Sequence, residues 1–346
     1  MATAARKSKK VQQKRPSDQL SDEQLLQFYK LMMLGRKVDE RSWVMNRQGR
    51  APFHISGIGH EAIQVAAAAT LRPGYDWLYP YYRDLAFVLA MGMTPTDHFL
   101  GLLGKDGDPS SGGIQMPSHY SNAKLRIGSI SSPVATQVPI AAGTALASKL
   151  KGTDEVTVVC LGEGSTSQGD FHEGLNWAGV HKLPFICIVQ NNQYAISVPM
   201  EKEMAIKNVA DRAIAYGIEG VVVDGNDVLA CYDVMYEAVE RARQGKGATL
   251  VEAKTYRVTP HSSDDDDRTY RSREEVEMWK KRDPILLFEK VLFERGILND
   301  ALKQEIEEWA VAEVDAAEDA AVNAPYPDLA EMEKHLYGPM PNWKEA

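Results

Sequence analysis

The sequence predicts an α/β fold, a doubly wound and mostly parallel sheet with helices on both faces. Three observations predict it. From about residue 136, short, nearly all-apolar runs at 156–161, 184–190, 220–223 and 249–254 alternate with amphipathic stretches of helical length. Strands of that texture are buried on both faces, as in parallel sheets. Each run also exits into polar, Gly-, Asn- or Arg-bearing segments, where open α/β sheets bind ligands. Finally, no repeat of 20–50 residues is present, which excludes solenoids and propellers.

The elements follow in order. Ser21 and Gln24 have capping-box spacing, and Leu25, Phe28, Tyr29, Met32 and Met33 continue with one helical face apolar. An Ala-rich helix over 60–71 is stopped by Pro73-Gly74, and a third helix spans 84–91. Residues 104–132 turn to Gly, Ser, Pro and Asp with little periodicity; a loop so long marks function or disorder. Helices over 144–150, 171–181, 209–215 and 228–243 each precede one of the four strands. Beyond 272 the chain is charged and helical, ending in a Pro-rich tail. The expected division is a basic, disordered arm over 1–20, one α/β domain over 21–330 and a tail over 331–346.

Composition narrows the class. The 346 residues are 44 % hydrophobic and 25 % charged, which suits a globular protein and excludes disordered, collagen-like and disulfide-scaffold chains. No apolar run approaches the roughly 18–20 residues of a membrane span. The net charge of −9 argues against a nucleic-acid partner. Residues 1–17 hold six basic side chains and no acid, leaving −15 for the rest. This Lys-rich arm has neither the apolar middle of a secretory signal nor the amphipathic stripe of a mitochondrial presequence. Cys160 and Cys187 lie in strand runs, and no CxxC pair accompanies them or Cys231. A reducing compartment is expected, the cytoplasm first and the mitochondrial matrix as alternative.

The first strand exits into Gly162-Glu163-Gly164-Ser165, followed by Gly169. The glycines miss the dinucleotide spacing, and no P-loop pattern occurs. What remains is a turn whose amides can approach an anion before a helix. Glu163 would repel a bare phosphate, and a divalent cation between them resolves the conflict. Asn192 follows one strand–helix–strand step later, so its amide oxygen and the Glu163 carboxylate can meet at adjacent strand ends. Oxygen donors with a single protein carboxylate suit magnesium holding a diphosphate. Either motif alone is more often an ordinary turn; the pair in this context carries the reading.

Gly162-Glu163-Gly164 with Asn191-Asn192 resembles the thiamine diphosphate signature, with Glu for the commoner central Asp. Tyr79 to Asp84, Gln115-Met116-Pro117, Ser131 to Gln137, Tyr194 to Ser197 and Tyr256-Arg257 with His261-Ser262-Ser263 add blocks in family order. Over about 24–330 the chain resembles the α subunit of the 2-oxo acid dehydrogenase first component, branched-chain type. The resemblance implies the diphosphate-type domain of that fold, and oxidative decarboxylation of a 2-oxo acid with transfer of the acyl group to a lipoyl arm. It implies magnesium on Glu163, Asn192 and the Tyr194 carbonyl. Tyr82, Arg83, Gly162, Gly164 and Ser165 would meet the diphosphate, and Ser132, Val134 and Ile196 the aminopyrimidine side. His261 matches the active-site histidine, which also touches the cofactor; His119 and Arg257 are further catalytic candidates, and Phe53 with Tyr82 would wall the substrate pocket. Ser131, Pro133, Thr136 and Gln137 resemble a potassium loop of animal relatives.

The implied partners are a β subunit, in a heterotetramer of two α and two β chains, and the lipoyl domain of the dihydrolipoyl acyltransferase. The glutamate that activates the cofactor belongs to the β subunit in this family, so the chain alone should be inactive. Two departures stand out: Gln190 where some relatives carry Arg, and Pro260 where animal members carry a second His. Asp264 to Asp267 lack EF-hand spacing and belong to a segment expected to order around cofactor or partner. Ser262 and Ser272 align with phosphorylated serines of animal relatives. His54 and His60 can approach the site, while His98, His172, His181 and His335 read as structural or surface residues. A pyruvate or acetoin dehydrogenase α subunit is the alternative; a non-catalytic scaffold and a nucleotide-binding oxidoreductase are weaker ones.

Overall fold

The computed structural model describes residues 14–331. The chain runs through α1 (Asp22–Arg47), α2 (Glu61–Ala68), β1 (Trp77–Tyr79), α3 (Leu85–Ala90), α4 (Pro95–Leu103) and α5 (Gln137–Lys151). Next come β2 (Thr157–Gly162), α6 (Gly169–Val180), β3 (Phe185–Asn191), the two-residue strands β4 (Tyr194–Ala195) and β5 (Val198–Pro199), α7 (Met200–Glu203) and α8 (Ala213–Tyr216). β6 (Glu219–Asp224), α9 (Val228–Arg243), β7 (Thr249–Lys254), α10 (Arg273–Lys280), α11 (Pro284–Glu294) and α12 (Asp300–Asn323) complete it.

Five strands form one sheet in the order β1-β2-β3-β7-β6, and every pair is parallel. Successive side chains of a strand point to opposite faces, and the core divides accordingly. Val158, Cys160, Ile186, Ile188, Val251 and Ala253 join the cluster packed under α1, α2 and α9. Val159, Leu161, Cys187, Val189 and Leu250 join the other, under α5 and α6. Both faces are covered, as the apolar runs require. All three cysteines are buried and free. Among the described residues no helix is long and apolar enough to cross a membrane.

The capping box at α1 forms: the Gln24 amide donates to Ser21 Oγ at 3.2 Å, and Ser21 N donates to Gln24 Oε1 at 2.9 Å. The strands fall within a residue or two of their expected bounds. α5, however, starts at Gln137 rather than 144. Pro139 sits in its first turn, where a missing N–H breaks no intrahelical bond. The expected 209–215 helix splits into a 3-10 turn, Val209–Arg212, and the short α8. The disordered arm expected over 1–20 is corrected at its inner end. Pro16–Gln19 forms a 3-10 turn against α9, where Ser17 donates through N and Oγ to Asp233 at 2.6 and 3.0 Å. Residues 1–13, most of the tail and His335 lie outside the described residues.

Candidate active site

The carboxyl ends of β2, β3 and β7 are level, with Gly162 beside Gln190 and Asn191 beside Lys254. A cleft of about 470 Å³ opens above them. A larger groove, about 680 Å³, runs along α9 and β6, but none of the strand-exit candidates lines it.

At the β2 exit, Glu163 to Ser167 wind into a 3-10 turn held by Thr166 Oγ1 donating to the Glu163 carbonyl at 2.6 Å. Gly164 allows this turn to touch the β4 strand, because a Cβ there would lie 2.5 Å from that of Ala195. Glu163 is 1 % exposed. Its Oε2 accepts from Asn192 N at 3.0 Å, while Oε1 is buried without a partner. Burial raises its carboxyl above the usual range, opposed by amide donors and, more weakly, by the charges of Arg257 and Arg83. A buried carboxylate oxygen without a donor is expensive, and a bound cation removes the cost. At the β3 exit, Tyr194 N donates to Asn192 Oδ1 at 3.3 Å. The turn between β4 and β5 places Ile196 at φ 56°, a left-handed conformation that a β-branched residue rarely adopts. That strain lies in the cleft wall, where such strain tends to be functional.

Two guanidiniums gather around His261, Arg83 in the cleft with Glu163 and Arg257 behind it. Arg83 is 1 % exposed and Arg257 fully buried, and neither pairs with a carboxylate among the described residues. Arg83 donates to the Ser56 carbonyl at 2.8 Å, and to His261 through both Nδ1 at 2.9 Å and the carbonyl at 3.0 Å. Arg257 donates to the Ile196 carbonyl at 2.6 Å, to Tyr270 Oη at 2.9 Å and to His261 Nδ1 at 3.3 Å. Guanidiniums have no acceptor, so His261 Nδ1 carries no proton and the neutral ring holds its proton on Nε2. Burial, then the charges of Arg83 and Arg257, depress this histidine to about 3. Burial, with Arg83 next, likewise lowers Arg257 to about 10. Two desolvated cations beside a neutral imidazole concentrate positive charge at this side of the strand ends.

Across the cleft, His119 bonds through Nδ1 to the Pro117 carbonyl at 3.0 Å, which fixes the proton there. Its Nε2 accepts from Ser132 Oγ at 2.8 Å. Phe53, Tyr82, Val134, Gly162, Ser165, Tyr194 and Ile196 also line the cleft. Arg257 does not; it acts from behind His261 and Ile196. Ser131 and Thr136 share a hydroxyl contact, and both hydroxyls reach the Pro133 carbonyl, at 3.2 and 3.1 Å. Gln137 turns inward instead. Its Nε2 donates to the Cys160 carbonyl at 2.9 Å, which leaves Oε1 buried without a partner.

Gln190 lies under the floor, donating to Asp84 Oδ1 at 2.6 Å and accepting from Gln64 at 3.0 Å, so no cation replaces the absent Arg. Burial raises the Asp84 carboxyl to about 7. His54 and His60 are buried and do not line the cleft; His54 is held by Asp39 at 2.9 Å. His98 is buried as well, bonded to Ser42 at 2.9 Å. The acidic run folds back on its own segment: Asp265 accepts from His261 N at 2.7 Å, Asp266 pairs with Arg268 and Asp267 with Arg271. Sequence reasoning missed Ile55, Tyr81, Val198 and Glu203 as cleft residues. Tyr81 lies within the Tyr79 to Asp84 block, which could have pointed to it; Ile55 and Val198 carry no chemical signal of their own.

Residues 29–330 match the family described as dehydrogenase E1 component. The chain belongs to that family. Within it, the chain is 52 % identical over 307 residues to the 2-oxoisovalerate dehydrogenase subunit alpha of Bacillus subtilis, covering 89 % of this chain and 93 % of the relative. It is 40 % identical over 318 residues to the 3-methyl-2-oxobutanoate dehydrogenase subunit alpha of Mycobacterium tuberculosis, covering 92 % and 84 %. The pyruvate dehydrogenase E1 component subunit alpha of Acholeplasma laidlawii is 38 % identical over 344 residues, covering 97 % and 95 %. Glu163, Asn192, Arg83 and His261 all fall inside the stretch matched to the dehydrogenase E1 component family.

Proposed function

We propose that this chain is the α subunit of a branched-chain 2-oxo acid dehydrogenase first component, using thiamine diphosphate and magnesium as cofactors and working with a β subunit. One observation carries the reading: buried Arg83, without a carboxylate partner among the described residues and backed by Arg257 through His261, shares the cleft with a buried Glu163 that lacks a donor for one oxygen. Cations on one side and a carboxylate on the other suit a metal-bound diphosphate. The greater identity to the two relatives named for branched 2-oxo acids favours that substrate over pyruvate.

The residues fit the implied groups. Among the described residues no three His, Cys, Asp or Glu side chains converge on a metal position. A cation here would be held by Glu163 Oε1, the Asn192 amide oxygen, the Tyr194 carbonyl and ligand oxygens, a hard set suited to magnesium. Potassium, where it binds, would draw on the Ser131 and Thr136 hydroxyls and the Pro133 carbonyl, from which Gln137 turns away. Bound thiamine diphosphate supplies a nucleophilic carbon and an electron sink for losing carbon dioxide from a 2-oxo acid. The chain's own residues bind and orient. Arg83, backed by Arg257, neutralises phosphate charge. His261 Nε2–H would hydrogen-bond the carbonyl oxygen of the 2-oxo acid. It could also supply the proton taken up by the lipoyl sulfur that is released as the disulfide opens and the other sulfur takes the acyl group. His119 holds Ser132, while Phe53, Val134 and Ile196 keep water from the reacting end. Tyr82 stands edge-on to His261, with ring centroids 6.3 Å apart, and would wall the substrate pocket beside it. A heterotetramer of two α and two β chains is the expected assembly, its lipoyl substrate carried by the acyltransferase. The buried thiols suit the reducing cytoplasm.

The test is co-expression with a β subunit and turnover on 3-methyl-2-oxobutanoate and pyruvate side by side. Faster turnover of the branched acid is expected, with none from the chain alone. Faster turnover of pyruvate reassigns the substrate, and decarboxylation by the pure chain removes the split site.

A further inference from the structure

Glu252 lies in the middle of β7, in register with Val189 of β3 and Val222 of β6, on the face of Leu250. Its neighbours there are apolar, yet the position holds a fully buried carboxylate outside the cleft. Such a group persists only where its oxygens are needed. They serve three donors. Oε1 accepts from Asn191 Nδ2 at 2.7 Å and lies 2.5 Å from Lys254 Nζ; Oε2 accepts from Ala210 N at 2.9 Å.

Each side leads to one half of the proposed cation cradle. Asn191, so held, accepts Gln193 N on Oδ1 at 3.2 Å and supports the left-handed Gln193, φ 76°, between Asn192 and Tyr194. Ala210 fixes the 3-10 turn whose Arg212 donates to the Thr166 carbonyl at 2.6 Å and hydroxyl at 2.8 Å. That hydroxyl in turn donates to the Glu163 carbonyl at 2.6 Å. We infer that Glu252 is a positioning residue for the cation, one carboxylate tying the Asn192–Tyr194 arm to the Glu163 arm. The inference rests on reading Glu163 and Asn192 as the magnesium site. Glutamine cannot substitute, because its NH2 must face either Asn191 Nδ2 or Ala210 N, donor against donor.

The test uses the αβ complex and manganese, standing in for magnesium, titrated by electron paramagnetic resonance with thiamine diphosphate present. Glu252→Gln should weaken manganese binding about 10- to 100-fold, as loss of an outer support does. At saturating magnesium kcat should stay within about twofold of the parent, a split that general loosening of the fold would not give. Parent-like manganese affinity in Glu252→Gln overturns the inference. Glu163→Ala is the control and should bind no manganese; parent-like binding there removes the metal site itself. If Glu252→Gln does not fold, Arg212→Met cuts one arm while leaving the carboxylate in place. It should weaken manganese in the same direction, and unchanged affinity overturns the inference equally.

Discussion

His261 is fixed by two donors reaching one nitrogen, so its role depends on a proton at Nε2 and an empty Nδ1. His261→Ala should leave cofactor binding nearly intact and slow acyl transfer about 100-fold or more, measured by single-turnover acylation of a lipoyl domain. Unfolding of that variant would make the histidine structural. His98, buried and depressed to about 3 by desolvation first and by His54 next, gives a pH prediction. The unfolded chain binds its proton near 6.5 and the folded chain only near 3, so this contribution to stability is complete above about 6.5 and lost as pH falls toward 3. The loss per pH unit is up to about 1.4 kcal/mol. Asp84, raised to about 7, works in the opposite sense. The comparison of parent with His98→Gln in denaturant titrations between pH 7 and 4 therefore isolates the histidine, and the parent should lose more. At this scale Glu163 and Asn192 were legible, because each closes an apolar run. The bond between Arg83 and His261 was not, since 178 residues separate them. Neither was Glu252, whose charge in an apolar run carries no hint of its three donors.

Elements with strong periodicity or caps could be read directly, such as α1 and the four longer strands. β1 has three residues, too few for any period to register, and β4 and β5 have two each. α4 was overlooked although Thr94 and Asp97 form a complete capping box after which Pro95 begins the helix. Thr94→Ala should cost about 1 kcal/mol, seen as a lower denaturant midpoint. The β2 exit is more demanding. Gly164→Ala drives a methyl group against Ala195, so the 3-10 turn must move away from the hairpin. Weaker cofactor binding with little change in helix content is the expected result by calorimetry and circular dichroism; parent-like affinity would show that the contact relaxes harmlessly.

On the scale of the molecule, the doubly wound sheet was legible from alternation alone, whereas its strand order was not, because periodicity carries no information on lateral neighbours. α12 returns to the start of the chain, where Glu318 accepts from Arg41 and Arg50 together. Glu318→Ala leaves Arg50 without this carboxylate and Arg41 with Asp315 alone, and should lower stability by about 1 kcal/mol, read from thermal unfolding. The placing of β7 between β3 and β6 has a temporal meaning as well. A ribosome delivers β3 and β6 before the strand that joins them, so the growing chain must keep two unpaired edges apart until residue 254 has emerged. Glu252 arrives on that last strand. On the proposed assignment, the two halves of the cation cradle are synthesised early and locked late, so a nascent chain would complete its metal site only after completing its sheet.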